Sequence, residues 1–118
     1  MLPAQFRMTR SAEFGATIKH GVRAAQPDIV VHARREADSQ GGPRIGLVVA
    51  KSVGNAVQRH QVSRRLRHVA KAILPELTAD ERVVIRALPT SRHAMSGRLE
   101  QQLRTSVRRT HDLMEKAR

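Results

Sequence analysis

Residues Lys51 to Arg67 read Lys-Ser-Val-Gly-Asn-Ala-Val-Gln-Arg-His-Gln-Val-Ser-Arg-Arg-Leu-Arg, and this stretch decides the fold. Gly54 permits a backbone conformation closed to most residues, and Asn55 is a side chain suited to accept from the first free N–H groups of a helix. A helix is therefore expected to start there. At about 100° per residue, Val62, Leu66, Val69 and Ile73 fall on one stripe, while His60, Arg64, Arg67 and Lys71 fall opposite. Arg59 and Arg65 flank the apolar stripe. Such a face is either plain solvated surface or a docking site for a polyanion, and the rest of the chain weighs on that choice.

On the N-terminal side, Arg44 to Ala50 is nearly continuously apolar after its Arg, as expected of a central strand with one face under a helix. Glu36 to Pro43 has the composition of a hairpin loop. Asp28 to Arg34 alternates, with Ile29, Val31 and Ala33 on one side and Val30, His32 and Arg34 on the other, the pattern of a half-buried strand. Ser11 is the expected cap of a first helix that carries Phe14 and Ile18 one turn apart and stops at His20-Gly21.

On the C-terminal side, Pro75 ends the basic helix, and Glu76 to Glu81 reads as a polar connection whose carboxylates face solvent. Arg82 to Leu88 is a strand. Pro89 to Ser96 is a loop, with Ser96 expected to cap a last helix in which Leu99, Leu103, Val107 and Met114 recur at helical spacing. The order is helix, two or three strands, helix, strand, helix. A strand–helix–strand unit of this kind brings its strands together in parallel, usually through a right-handed connection.

The 118 residues fit one domain over 1–118, which buries roughly two thirds of its unfolded surface. Residues 1–8 and 116–118 are expected to be flexible. Lys and Arg number 22 against 10 Asp and Glu, a formal charge of +12, and 18 of those cations are Arg. Arg grips phosphate with a planar fork where Lys offers a point charge, so the balance implies a polyanionic partner. There is no Cys, which excludes disulfides and thiolate metal sites. No apolar run approaches the roughly 18 residues that span a bilayer, and a cytoplasmic protein without a membrane partner is expected. The six His form no ligand cluster, since His60 and His68 stand too far apart on one helix. Ser52 and Ser63 lack a His and acid in a recognisable arrangement. Neither a catalytic nor a metal-ligating constellation is expected on the chain.

Lys51, Gly54-Asn55-Ala56-Val57, Arg59, Arg64 and Arg67 match the spacing of a signature helix, and the chain resembles the protein subunit of bacterial ribonuclease P. Ser11-Ala12-Glu13-Phe14, Lys19-His20-Gly21, Arg44-Ile45-Gly46-Leu47 and Val84-Ile85-Arg86-Ala87 support the resemblance, which covers about residues 7–115. His60 stands where the signature has Asn, Gln61 replaces a basic residue and Ser63 a usual Lys. Ile18 and His32 each stand where the family carries an aromatic.

The resemblance implies an α+β single-domain sandwich, order αβββαβα, with a four-stranded sheet and a left-handed βαβ crossover, a ribosomal-protein-like fold. It implies a subunit of an endoribonuclease that removes the 5′ leader of precursor tRNA, with catalysis by the RNA subunit and Mg2+ held mainly by that RNA. The RNA-binding residues would be Lys51, Asn55, Arg59, His60, Arg64, Arg65, Arg67 and Lys71, with Phe14, Ile18, Val30 and His32 lining a leader cleft. The partners would be the catalytic RNA, one per protein, and precursor tRNA. Two other classes fit the charge: a structural RNA-binding protein of ribosomal type, and a DNA-binding regulator, against which stands the strand-like segment before the basic helix.

Overall fold

The computed structural model describes residues 2–37 and 41–117. Its elements are α1 (Ser11–His20), β1 (Val22–Ala25), β2 (Ile29–Arg35), β3 (Arg44–Val48), α2 (Ala56–Ile73), β4 (Glu81–Ala87) and α3 (Ser96–Lys116). The strands form one sheet in the order β1-β2-β4-β3, in which β3 and β4 are parallel and the other neighbours antiparallel. This is the α+β architecture and the αβββαβα order expected from the sequence.

The strands' two-residue period divides the sheet into two faces. Ile29, Val31 and Ala33 of β2, Val83 and Ile85 of β4 and Ile45 of β3 join Leu66 and Ile73 of α2 and Leu99, Leu103 and Val107 of α3 in one core. The alternate residues face the other way, toward α1. Thr17 Oγ1 of α1 accepts from Arg34 Nε at 3.1 Å, and Glu13 of α1 pairs with Arg82 at 3.3 Å. With α1 on this outer face, β2 is closed on both sides and Val30 and His32 are buried, where alternation alone predicted a half-buried strand.

Several local expectations are corrected. The apolar run at β3 marks an edge strand, and the centre belongs to β2 and β4. β3 is apolar because both of its faces are covered and its free edge is guarded by the N-terminal segment, where Met8 N–H donates to Ile45 O at 2.8 Å. The same segment carries further contacts: Leu2 and Met8 are buried, and Arg7 Nε donates to Leu2 O at 2.9 Å. Glu36 to Pro43 does not close a hairpin, since β4 lies between β2 and β3; residues 38–40 of that loop lie outside the described residues, as do 1 and 118. Ser11 and Ser96 are the first residues of their helices, and the capping positions are Arg10 and Met95, neither with a side-chain cap.

Glu81 is the largest correction. It was expected to face solvent, yet it is fully buried at the start of β4 and binds His111 of α3. Among the described residues no helix is long and apolar enough to cross a membrane.

Candidate nucleic-acid interface

The start of α2 is built as the sequence predicts. Asn55 Oδ1 accepts from Gln58 N–H, and Gln58 Oε1 accepts from Asn55 N–H, both at 2.9 Å, so two free donors of the first turn are satisfied reciprocally. Gly54 is required beside this cap. Its φ is +158°, and a Cβ there would fall 2.2 Å from Gln58 Oε1. Asn55 therefore serves the helix first, and its amide nitrogen remains as a donor for a ligand.

From that anchor α2 turns Val62, Leu66, Val69 and Ile73 wholly into the core. His60, Arg64 and Lys71 are exposed on the other side with Lys51 of the preceding turn, while Arg59, Arg65 and Arg67 are half-buried at the flanks. Arg65 reaches the carbonyls of Arg92 and Ala94 at 3.4 and 3.5 Å, long contacts that lean it toward the turn before α3. Arg59 Nε is buried with no hydrogen-bond partner among the described residues. Gln61, Arg64, Arg65 and His68 form an open basin with Ser96, the first residue of α3.

The electrostatics of this face follow from where the acids are. Lys51 to Ile73 carries six Lys and Arg and no Asp or Glu. The carboxylates of Glu13, Asp28, Glu36, Glu76, Glu81, Glu100 and Glu115 are paired with Arg34, Arg35, Arg82, Arg98, Arg104 and His111, all on other elements. Among the described residues no carboxylate pairs with a cation of α2. Asp28 is buried and engaged by several side chains. Burial pushes its carboxyl up, but hydrogen bonds from Arg98, Thr90 and Gln102 and the charge of Arg98 outweigh this and hold it below the usual range.

The expected cleft residues divide. Phe14 of α1 is half-buried and lines a groove with Leu2, Arg7, Met8, Ile45, Leu47 and Arg67, so the aromatic of the first helix and a cation of α2 meet at one opening. Ile18, one turn on, is 40% exposed. Val30 and His32 lie on the outer face, as alternation placed them, but closed from solvent. The sequence reading missed Arg23 and Arg86. In register, Arg23 of β1 sits opposite His32, and Arg86 of β4 opposite Val30, so both flank His32 on the outer face; the alternation of β1 and β4 carries that signal.

Phe14 rests where a side chain would otherwise stand. A Cβ on Gly46 would lie 2.5 Å from Phe14 Cε1 and 3.1 Å from Met8 Sδ. Gly46→Ala is thus expected to cost about 1–3 kcal/mol by overpacking. Combining it with Phe14→Ala should be non-additive, since removing the ring removes the clash. Denaturant unfolding of the two single variants and the double variant measures this, and strict additivity would show that Phe14 does not occupy that seat.

A family model described as Ribonuclease P matches residues 2–111. The chain belongs to the ribonuclease P family. It is 64% identical over 112 residues to the ribonuclease P protein component of Mycobacterium avium, covering 92% of this chain and 94% of that protein. To that of Mycolicibacterium vanbaalenii it is 64% identical over 110 residues, with 92% of each covered. The ribonuclease P protein of Staphylococcus aureus shares the fold with a TM-score of 0.77 at 22% identity, over 87% of this chain and 93% of that one. That of Thermotoga maritima does so with a TM-score of 0.70 at 17% identity, over 93% and 96%.

Proposed function

We propose that this chain is the RNA-binding subunit of ribonuclease P, holding the catalytic RNA against α2 and the single-stranded 5′ leader of precursor tRNA in the groove at Phe14. The segregation of charge carries this reading. An acid-free run of six cations, five on the capped helix α2 and Lys51 in the turn before it, is presented while paired carboxylates neutralise Arg elsewhere, which is how a fold keeps a surface for phosphates. The family implies endonucleolytic removal of the leader to give the mature tRNA 5′ end, one protein per RNA, in the cytoplasm.

Catalysis falls to the RNA in this reading. Among the described residues no three His, Asp or Glu side chains converge as ion ligands, and the seven paired carboxylates have other partners. Among the described residues the donors do not converge on a magnesium site, and in this reading Mg2+ is held mainly by the RNA. Rigorously RNA-free protein should leave leader-bearing precursor tRNA intact, and adding the RNA at low magnesium should produce the mature 5′ end. Specific cleavage by the protein alone would overturn the assignment of roles.

The groove has its own test. One base stacked on Phe14 contributes about 1–3 kcal/mol, so Phe14→Ala should weaken binding of leader-bearing precursor tRNA by that amount and barely alter binding of mature tRNA. Equal loss for both RNAs would return Phe14 to a purely structural role.

A further inference from the structure

His32 is an unusual residue for the middle of a sheet. The residue is 5% exposed, and its Nε2 has no hydrogen-bond partner among the described residues. Arg86, diagonally across on β4, has a buried Nε in the same condition. Two orphaned buried nitrogens beside each other are costly unless a ligand completes them.

The charges nearest them have one sign, and the acids of this face, Glu13 and Glu36, are engaged by Arg82 and Arg34. The outer face presents Arg23 from β1, Arg34 from β2, Arg82 and Arg86 from β4 and Arg44 from β3, by register. The acid that α1 brings to this face, Glu13, is paired with Arg82, and α1 otherwise carries exposed Lys19 and His20 near its end. Burial first, and then the charges of Arg86 and Arg23, hold the His32 imidazole below the ordinary histidine range.

The geometry points to a phosphodiester subsite formed by His32, Arg86 and Arg23 on the outer face, in which His32 is neutral when the groove is empty and takes up a proton when single-stranded RNA fills it. This rests on the leader-binding reading above and adds its regulation by pH. The ligand reverses the local balance: a phosphate between the two Arg cancels their repulsion of a third cation and accepts a hydrogen bond from Nε2–H. Access to Nε2 needs side-chain motion only, because its neighbours toward β1 and along β4 are long arginines. The sign follows from linkage. The complex binds more protons than its separated parts, so affinity rises as pH falls, with a limit of about tenfold per pH unit for one proton.

The test uses the protein assembled with the ribonuclease P RNA. Affinities for leader-bearing precursor tRNA and for mature tRNA are measured between about pH 8 and about pH 6, with proton uptake read by calorimetry in buffers of different ionisation enthalpy. The leader-dependent part of the affinity should increase as pH falls, with uptake approaching about one proton. His32→Gln should remove both the increase and the uptake, and His32→Phe should do the same, providing a second variant if the first does not fold. A leader preference that persists with no proton uptake, or uptake that survives both substitutions, overturns the subsite and leaves the leader groove standing. Loss of any leader preference at every pH overturns both.

Discussion

Raising the salt from about 50 to about 200 mM should weaken the complex with the ribonuclease P RNA on the order of 10²-fold. On the proposed reading Lys51, Arg59, Arg64, Arg67 and Lys71 would make about five phosphate contacts, each releasing a condensed counterion and steepening the log–log slope by a little under one. Their charges are at full strength in the free protein because no carboxylate pairs with them among the described residues. Arg64→Ala should flatten the slope by about one unit and leave the fold intact, since its side chain is exposed. Arg109→Ala is the control. Arg109 is equally exposed on α3 but lies outside the acid-free run. If both substitutions flatten the slope alike, the RNA responds to overall charge and α2 is no special surface; if neither does, the α2 face is merely solvated.

What could be read in advance divides by the range of the interaction. The start, stripe and stop of α2 were legible because each is local: Gly54 and Asn55 shape the cap, a 3.6-residue period sorts Val62 and Leu66 from Arg64 and Lys71, and Pro75 closes the helix. The lateral place of β3 was not, because a continuous apolar run reports that both faces of a strand are covered and says nothing of who lies beside it. Leu2 and Met8 were invisible for a related reason, being isolated apolar residues in a basic segment whose burial depends on the free edge of β3. The place of Phe14 on α1 was readable from its local sequence. Its meeting with Arg67 in one groove was not, since that depends on how α1 and α2 close around β3. Arg23 and Arg86 carried no site assignment, because only the register puts them on either side of His32.

Glu81 shows the same limit at its sharpest and leads to a large expected effect on stability. Read along the chain, Glu76, Asp80 and Glu81 are three acids on a polar connection. In the fold Glu76 pairs with Arg104, Asp80 accepts from Thr78 Oγ1 at 2.6 Å, and Glu81 is fully buried with its carboxylate completely engaged. His111 Nε2 stands 2.8 and 3.0 Å from its two oxygens, and Thr78 N–H donates to Oε1 at 3.1 Å. The carboxylate thus ties the turn before β4 to the C-terminal half of α3, across residues that share no local pattern. Glu81→Ala removes that acceptor, leaves His111 and the Thr78 amide without it, and opens a void at the end of the core. A loss of about 3 kcal/mol follows, or a fall of about 10 °C in Tm for a domain of this size. His111→Ala should cost less, about 1–2 kcal/mol, because that side chain is partly exposed and Glu81 keeps its bonds to Thr78. Thermal and urea unfolding of the two variants decides the matter. A Glu81→Ala protein as stable as the parent would mean that the carboxylate is an ordinary solvated acid, as the linear sequence suggests, and that β4 and α3 are joined by apolar packing alone.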